Sequence, residues 1–598
     1  MARLLARSLW AGAVLLALDA AAQRVIEMRG FKYAEYYDAP EETRIKTRLQ
    51  GGKAQPQPGG FVLVTTARLE TFRKDGLPEL VVETPECTHS STGRVIYSSG
   101  PLLVKTADGG FSIRGEGFLY QQTNSTLIIS NNVETIANPE LLTKASEPSG
   151  PGEIKAASSS PMRILSRSFR YSADEGAGIY SGDVQVSGTN LALTSGNLSL
   201  KLPVEERRLH EIVASEKVQM DYAGMRASGE RAVYNVDTQV AEVTGQPSWS
   251  SEGRQGRADS FTIDRTNRLV LARGNAWMRM EGQSLATDLL PNLSGSKPAG
   301  APADAIKAVE VRSASYDLFT NNIVFEDGVT VTEFAGADVE GRLDCKQMTV
   351  TFAGTNQVEK LVAKTNVVIT RGEGLLAADE AIYTGTNSLL ELRGSPSWKS
   401  GARQGKGDSI LVDGQSREMH VKGNASMRIP AEFLRQQAGV RRPGTSPSGQ
   451  TQEQEWAQIF SEDYLLRADR AQFRGGVYIT HPQVAWSCER LAVDLPAEGD
   501  RIESILAEQQ VAFNFLDASG QRIQGRSDNA EYTYQVRDGR TNELMHLTGQ
   551  PVIETTNGVL RNRVITYDLS QNKLFARGRY SIRGTAPALG TNTFRFPK

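Results

Sequence analysis

The stretch from Ala232 to Met280 reads AVYNVDTQVAEVTGQPSWSSEGRQGRADSFTIDRTNRLVLARGNAWMRM. It returns 149 positions later, from Ala381 to Ile429, as AIYTGTNSLLELRGSPSWKSGARQGKGDSILVDGQSREMHVKGNASMRI. A third copy runs from Ala530 to Ile582 with a longer first turn. Apolar and polar residues alternate around Gly, Pro, Asn and Asp, which predicts two β-hairpins per copy. A unit written three times predicts a row of similar modules.

Positions shared by the copies favour structural roles over chemistry. Asp264, Asp413 and Asp568 each begin the second turn and are followed by turn-forming residues, so we expect Asx-turns, although ligands or general acids would occupy the same places. Glycines close the second hairpin and are expected at strand ends: Gly274, Gly423 and Gly578. Trp249 and Trp398 are expected to pack in the core, with lipid contact as the alternative.

Composition favours an all-β protein of several domains. The 598 residues have room for about four domains of ordinary size. Lys and Arg number 67 against 69 Asp and Glu, a net charge of -2, so there is no electrostatic reason to bind nucleic acid. The 39% hydrophobic content and 56 glycines suit antiparallel sheets with one solvent-exposed face.

The N-terminus predicts export. Arg3 and Arg7 precede the apolar run Leu9 to Leu18, and three alanines stand before Gln23, which predicts a cleaved signal peptide over 1–22 and an exported protein. An uncleaved anchor is disfavoured because this run is far shorter than the ~20 residues of a spanning helix. No later stretch is apolar enough to span, so we expect no transmembrane segment in the mature chain.

Composition shifts divide the remaining chain into four modules, linkers rich in Ser, Pro and Gly, and a tail. The third linker contains two candidates for short helices, Glu432 to Gln437 and Gln452 to Phe460. The predicted boundaries are module one at 25–137, linker 138–161, module two at 162–280, linker 281–305, module three at 306–429, linker 430–463, module four at 464–583 and tail 584–598.

Catalytic and metal-binding patterns are missing from the sequence. Five histidines stand singly, no G-x-S-x-G motif occurs, and GARQGKG (401–407) lacks the spacing of a phosphate loop. We therefore expect no enzyme activity, cofactor or metal. Cys87, Cys345 and Cys488 cannot all pair, and the last two fall at similar places in separate modules, so buried free thiols are expected.

A family resemblance gives these patterns a function. ERAVYNVDTQVAEVTGQPSW, DEAIYTGTNSLLELRGSPSW and AEYTYQVRDGRTNELMHLTGQPVI resemble the OstA-like modules of the lipopolysaccharide-transport family, which includes LptA, LptC and the LptD N-terminal domain. GIYSGDVQV, VFEDGVTV and ILAEQQVAF are similar to its accompanying strands. Module one, with LQGGKAQ, TTARLETF and DGLPELVVETPE, is similar to the LptC type.

The resemblance implies tandem antiparallel β-jellyroll modules stacked edge to edge, whose joined grooves shield acyl chains. It implies lipopolysaccharide or a related amphiphile as ligand and other Lpt-type envelope proteins as partners. Two alternatives stay open: a structural or adhesive β-repeat protein that assembles through sheet edges, and a polysaccharide-processing enzyme with facing carboxylates. The candidate groove residues are Tyr234, Val243, Ile263, Tyr383, Leu392, Val412, Tyr532, Leu547 and Tyr567.

Overall fold

The structure is a computed structural model, and it describes most of the chain between residues 27 and 583. The predicted signal peptide, the tail and the helix candidate Glu432 to Gln437 lie outside the described residues. The residues that the structure describes are 27–138, 161–188, 191–202, 209–222, 224–251, 253–281, 307–354, 357–430, 456–481, 484–494, 502, 504–516, 522–537, 540–556, 558–569, 571, 573–576 and 581–583.

The contacts define two compact units, Met1–Tyr222 with Val233–Thr238, and Ala223–Ala232 with Gln239–Lys598. The first unit is an antiparallel meander in which each strand pairs with the next, except that β7 and β10 both pair with the two short strands β8 and β9. Its strands are β1 (Met28–Tyr36), β2 (Ile45–Gln57), β3 (Phe61–Phe72), β4 (Pro78–Ser90), β5 (Val95–Thr106), β6 (Phe111–Gln121), β7 (Thr126–Ala137), β8 (Met162–Ser166), β9 (Ser168–Ser172), β10 (Ala177–Gly188), β11 (Leu191–Lys201) and β12 (Glu211–Tyr222).

The strand β13 (Met225–Asn235) is divided between the units, and the second unit continues with long strands alternating with groups of short ones. These are β14 (Val240–Thr244), β15 (Ser248–Ser251), β16 (Arg254–Arg257), β17 (Ser260–Asp264), β18 (Leu269–Glu281), β19 (Lys307–Leu318), β20 (Asn322–Ala335), β21 (Asp338–Ala353), β22 (Gln357–Arg371), β23 (Gly374–Thr384), β24 (Leu389–Arg393), β25 (Ser397–Ser400), β26 (Arg403–Lys406), β27 (Ser409–Asp413), β28 (Glu418–Pro430), β29 (Trp456–Leu466), β30 (Arg470–His481), β31 (Val484–Asp494), β32 (Ser504–Leu516), β33 (Arg522–Arg537), β34 (Arg540–Thr548), β35 (Val552–Thr555), β36 (Gly558–Arg561), β37 (Val564–Asp568), β38 (Lys573–Ala576) and β39 (Ser581–Arg583).

Long strands bend in the middle at a two-residue bulge. In β28 the ladder register shifts between Lys422 and Ala425, and the two residues between them, Gly423 and Asn424, have φ of 71° and 45°. Gly274 occupies the same place in β18, with φ of 74°. The prediction that these glycines end strands is therefore wrong, because the strand continues past them after a left-handed bend. Gly578 lies outside the described residues.

The bends divide each module of the second unit into two layers. The second half of β23 pairs with β24, whereas its first half pairs with β25. In the same way β28 pairs with β27 before its bend and with β26 after it. One layer therefore contains β24 and β27 and the other contains β25 and β26, and the long strands belong to both. The predicted all-β class and folded-over antiparallel architecture are confirmed.

The short hairpin formed by β25 and β26 was missed by the prediction of two hairpins per copy. Its strands have four residues each, and Arg403–Lys406 contains no apolar side chain, so it has no hydrophobic alternation for a sequence pattern to detect. Pairing with β23 and β28 on either side holds it in place. The segment GARQGKG contributes a sheet strand here.

The structural repeats, which we number like the four predicted modules, join one to the next by strand pairing. In the second unit β18 pairs with β19, and β28 pairs with β29. In the first unit β7 pairs with β8 and β9. The edge-to-edge stacking implied by the family resemblance is confirmed at these joints, where each pairing covers an otherwise open edge. The division into four modules stays a prediction.

The short helix predicted over Gln452 to Phe460 is wrong for Trp456 to Phe460, which begin β29. Ala457 and Ile459 are buried and alternate with half-buried or exposed neighbours, which is the period of a strand. The polar composition favoured a helix locally, but pairing with β28 decides the conformation. Residues 452–455 lie outside the described residues.

Candidate functional site

The space between the two layers of the second unit is apolar and continuous. One cluster of buried hydrophobic side chains extends from Val243 in the second repeat to Tyr567 in the fourth, through both strand joints. It contains five of the nine candidate groove residues, and Tyr383 packs against it. The five are Val243, Leu392, Val412, Leu547 and Tyr567.

The remaining three candidates lie elsewhere. Ile263 is half-buried and Tyr532 is buried, but neither belongs to this cluster. Tyr234 is half-buried and falls in the first unit. Whether any of the nine contacts lipid stays a prediction.

A Trp–Tyr hydrogen bond crosses the interior at each of the two joints of the second unit, and the sequence patterns missed it. Trp398 Nε1 in one layer donates to the hydroxyl of Tyr464, which β29 of the next repeat brings from the other layer, at 2.6 Å. Trp249 Nε1 donates to Tyr316 Oη at 2.8 Å in the preceding joint. Burial raises the pKa of both tyrosines, so their hydroxyls stay protonated.

A glycine makes room for each of these contacts. A Cβ on Gly405 would lie 2.2 Å from Tyr464 Oη and 2.4 Å from Trp398 Nε1, and Gly256 has the same neighbours in its own joint. The only signal in the sequence was that Trp249 and Gly256 recur 149 positions later as Trp398 and Gly405. In the fourth repeat the corresponding residues are Ile553 and Leu560, both buried, so the side chains there fill this space directly.

The cysteines occupy structural positions at the bends. Cys345 Sγ in β21 donates to the carbonyl of Gln347, two residues ahead, as Ser313 Oγ does to Ser315 in β19. Cys345 and Cys488 are buried and free, and burial raises the pKa of each to about 12. Cys87 is also buried and free. The prediction of buried free thiols is confirmed, and these protonated thiols are poor nucleophiles.

The aspartates of the second turn are Asx caps, as predicted. Asp264 accepts the backbone N–H of Asn267, and Asp413 accepts those of Gln415 and Ser416. These backbone hydrogen bonds lower the pKa of both carboxyls. Asp568 accepts the N–H of Gln571 in the fourth repeat.

The first unit contains a cavity of about 580 Å³. Apolar side chains form its walls, among them Phe111, Leu127 and Phe169. A smaller space of about 80 Å³ shares Phe111 and Leu200 with it. The larger volume is typical of small-molecule sites.

A polar cluster lies at the rim of this cavity. Tyr171 Oη donates to Glu79 at 2.8 Å, and Arg73 Nε is buried without a hydrogen-bond partner among the described residues. Asp75 and Asp108, also at the rim, accept backbone N–H groups of their own turns. Burial raises the pKa of Glu79. The cavity therefore combines an apolar interior with a few polar groups at its mouth.

The Glu79→Gln substitution should stabilise the first unit, and the gain should grow as pH rises. A raised folded pKa means that the stabilising contribution of Glu79 is present below about pH 4.5 and is lost as pH rises through the folded value. Glutamine keeps an acceptor for Tyr171 without the charge. Thermal unfolding at pH 4 and pH 8 checks this, with Glu86→Gln, an exposed carboxyl of β4, as the control. An equal shift at both pH values would contradict it.

The described residues contain no group of three His, Cys, Asp or Glu arranged to hold a metal ion. Within the same part of the chain, no helix has the length and apolarity needed to cross a membrane.

The family described as LptA/(LptD N-terminal domain) LPS transport protein matches residues 163–283 and 461–573. Comparison with curated proteins gave no match. Among solved structures, the chain is similar to LptH from Pseudomonas aeruginosa, described as the LptA homologous periplasmic component of the conserved lipopolysaccharide transport device. The identity is 19%, over 19% of this chain and 82% of that chain, with a TM-score of 0.18.

The fold and the apolar interior define a protein of tandem, folded-over antiparallel β-modules. Over the two matched regions, the predicted relationship to the OstA-like lipopolysaccharide-transport family is confirmed.

Proposed function

We propose that this protein binds the acyl chains of lipopolysaccharide, or of a related amphiphile, between the two layers of its modules and carries the lipid across the periplasm toward the outer membrane. The observation that carries this proposal is the apolar interior, which continues through both joints of the second unit. The family match supports lipopolysaccharide as the ligand class. No chemical step is part of the function.

Acyl-chain burial supplies the driving force. Each buried CH₂ contributes about 0.8 kcal/mol, so a chain can replace side-chain contacts between the layers without specific polar groups. Side chains such as Leu392 and Val412 are fully buried, so the layers of the second unit part when lipid enters. The cavity of the first unit offers space for an acyl chain without such movement.

Location and partners follow from the same proposal. The predicted signal peptide takes the chain to the periplasm, and Lpt-type proteins of the envelope pair with its strand edges. The alternative is a structural or adhesive envelope protein. That alternative predicts self-association that persists when interior residues are changed.

Photo-crosslinking in cells tests the proposal. A photoreactive amino acid at Leu392, which faces the interior, should label lipopolysaccharide, whereas one at the neighbouring Arg393, which faces solvent, should not. Both positions lie in β24, so expression and register are matched. Leu547 offers a second interior position in the fourth repeat. Labelling from Arg393 alone, or self-association without lipid, would favour the adhesive alternative.

A further inference from the structure

Two exposed aromatic side chains lie side by side on the outward face of the fourth repeat. Phe460 of β29 pairs directly with Tyr478 of β30, and they are 40% and 46% exposed. Directly opposed residues in a sheet have Cβ atoms about 4.5–5.5 Å apart, so these two neighbouring side chains together form an exposed aromatic surface, called the platform. Water contact at this platform is unfavourable, which indicates a surface that gains from being covered.

Beside the platform the outward face sinks into a depression of about 350 Å³. Small residues form its floor, because Tyr478 pairs with Ser487, and Ser487 pairs in turn with Ala512. Below the floor, Trp486 and Phe513 pack with ring centroids 5.5 Å apart, which supports the depression from inside. Its shape is therefore set by residue size along the ladder.

Polar side chains border the far side of this depression: Asn514, Gln524, Arg526 and Glu554. The ladder places Asn514 opposite Gln524, which is opposite Glu554. Within the described part of the chain, none of these four side chains has a hydrogen bond or an ion pair. They supply planar donors and acceptors, and the charges of Arg526 and Glu554 cancel.

The third repeat has the same ladder with polar side chains at these positions. There Arg312 and Thr330 stand in register where the fourth repeat has Phe460 and Tyr478, and Asp344 stands in place of Ser487. Thr330 Oγ1 donates to Asp344 at 2.7 Å, and Arg342 donates to the same carboxylate. The third repeat thus covers this face with its own polar contacts, and the fourth repeat leaves it open.

We propose that this surface of the fourth repeat, called the outer patch and formed by Phe460, Tyr478, Ser487, Ala512, Asn514 and Arg526 with the side chains around them, binds a saccharide. A sugar ring has an apolar C–H face, which covers an aromatic platform, and an edge of hydroxyls, which both donate and accept hydrogen bonds. The amides and the opposite charges at the border match such an edge, and the small floor residues admit a ring. This goes beyond transport, because it engages the outward face and not the interior.

Saccharide titration of the full chain tests the outer patch. Two probes separate the possible sources: the lipid-free core oligosaccharide of lipopolysaccharide, and oligosaccharides from cell-wall glycan strands. Tyr478→Ala should weaken binding of the preferred probe about tenfold or more, because it removes half of the platform. Ala512→Arg should block the depression. Both residues are exposed, so the variants keep the fold.

Tyr97→Ala, which removes an exposed tyrosine of the first unit, is the matched control and should bind like the parent chain. Saturation-transfer NMR and calorimetry provide the readout. Binding of either probe that is lost in both outer-patch variants supports the proposal. Failure of both probes at millimolar concentration, or unchanged binding in both variants, would overturn it. Interior crosslinking from Leu392 is independent of this result, so the proposed transport function is judged separately.

Discussion

Trp398→Ala should lower the free energy of unfolding of the second unit by about 3–5 kcal/mol, the range for a large aromatic side chain removed from a core. Trp398 is 2% exposed and crosses from one layer to the hydroxyl of Tyr464. The substitution leaves a cavity and also leaves that hydroxyl without its donor. Urea unfolding followed by circular dichroism measures the loss.

Two variants separate packing from hydrogen bonding in this contact. Tyr464→Phe keeps the ring and should lose only about 1–3 kcal/mol, the penalty for a buried indole N–H without an acceptor. Trp277→Ala is the control, because Trp277 is half-buried, lies outside the interior cluster and has Arg257 over its ring. If Trp398→Ala were no more harmful than Trp277→Ala, the contact would not hold the layers together.

Gly423→Ala should destabilise the second unit by about 2–3 kcal/mol. The left-handed conformation of Gly423 costs an L-residue about 1–2 kcal/mol. The added Cβ would also lie 2.3 Å from Asp408 Oδ2 and so displace the carboxylate that accepts from Asn424. Losing that hydrogen bond adds about 1 kcal/mol.

Gly328→Ala isolates the backbone contribution. Gly328 has φ of 70° at the equivalent bend of β20, but a Cβ there meets nothing within 4 Å, so only about 1–2 kcal/mol should be lost. The double variant Gly423→Ala/Asp408→Ala removes the carboxylate that the new Cβ would meet. It should therefore recover part of the extra stability that Gly423→Ala loses relative to Gly328→Ala. Equal effects of Gly423→Ala and Gly328→Ala would show that Asp408 does not restrict the bend.

Sequence periodicity predicts the parts of this fold in which one face of a strand is apolar over several residues. Leu390 and Leu392 alternate with the charged residues Glu391 and Arg393, and the structure buries both leucines. The bends could not be predicted in this way. Gly423 looked like a strand end because local sequence does not show whether a glycine stops a strand or turns it through a bulge. The helix prediction at the start of β29 was wrong for a related reason, since the conformation of this segment depends on its pairing with β28.

The candidate site likewise contains residues that a single strand's pattern predicts and residues that only contacts between strands reveal. Interior residues such as Val412 follow from the apolar pattern, because burial is a property of one strand. The Trp398–Tyr464 contact depends on two modules meeting with a particular register, and single-strand patterns contain no such information. The outer patch and the polar residues at its border come from six strands, which must be placed side by side before these residues form one surface.

The bulges also limit how these look-alike strands can mispair while the chain folds. Alternate long strands carry a left-handed pair of residues at the bend, as at Gly274–Asn275 in β18, Asp327–Gly328 in β20 and Thr365–Asn366 in β22. A strand that slipped by two residues would set a kinked dipeptide against straight backbone and lose several ladder hydrogen bonds. A chain of similar repeats is otherwise prone to misassembly. In this chain the bulges therefore restrict the register of strand pairing through the backbone alone, without a contribution from side-chain packing.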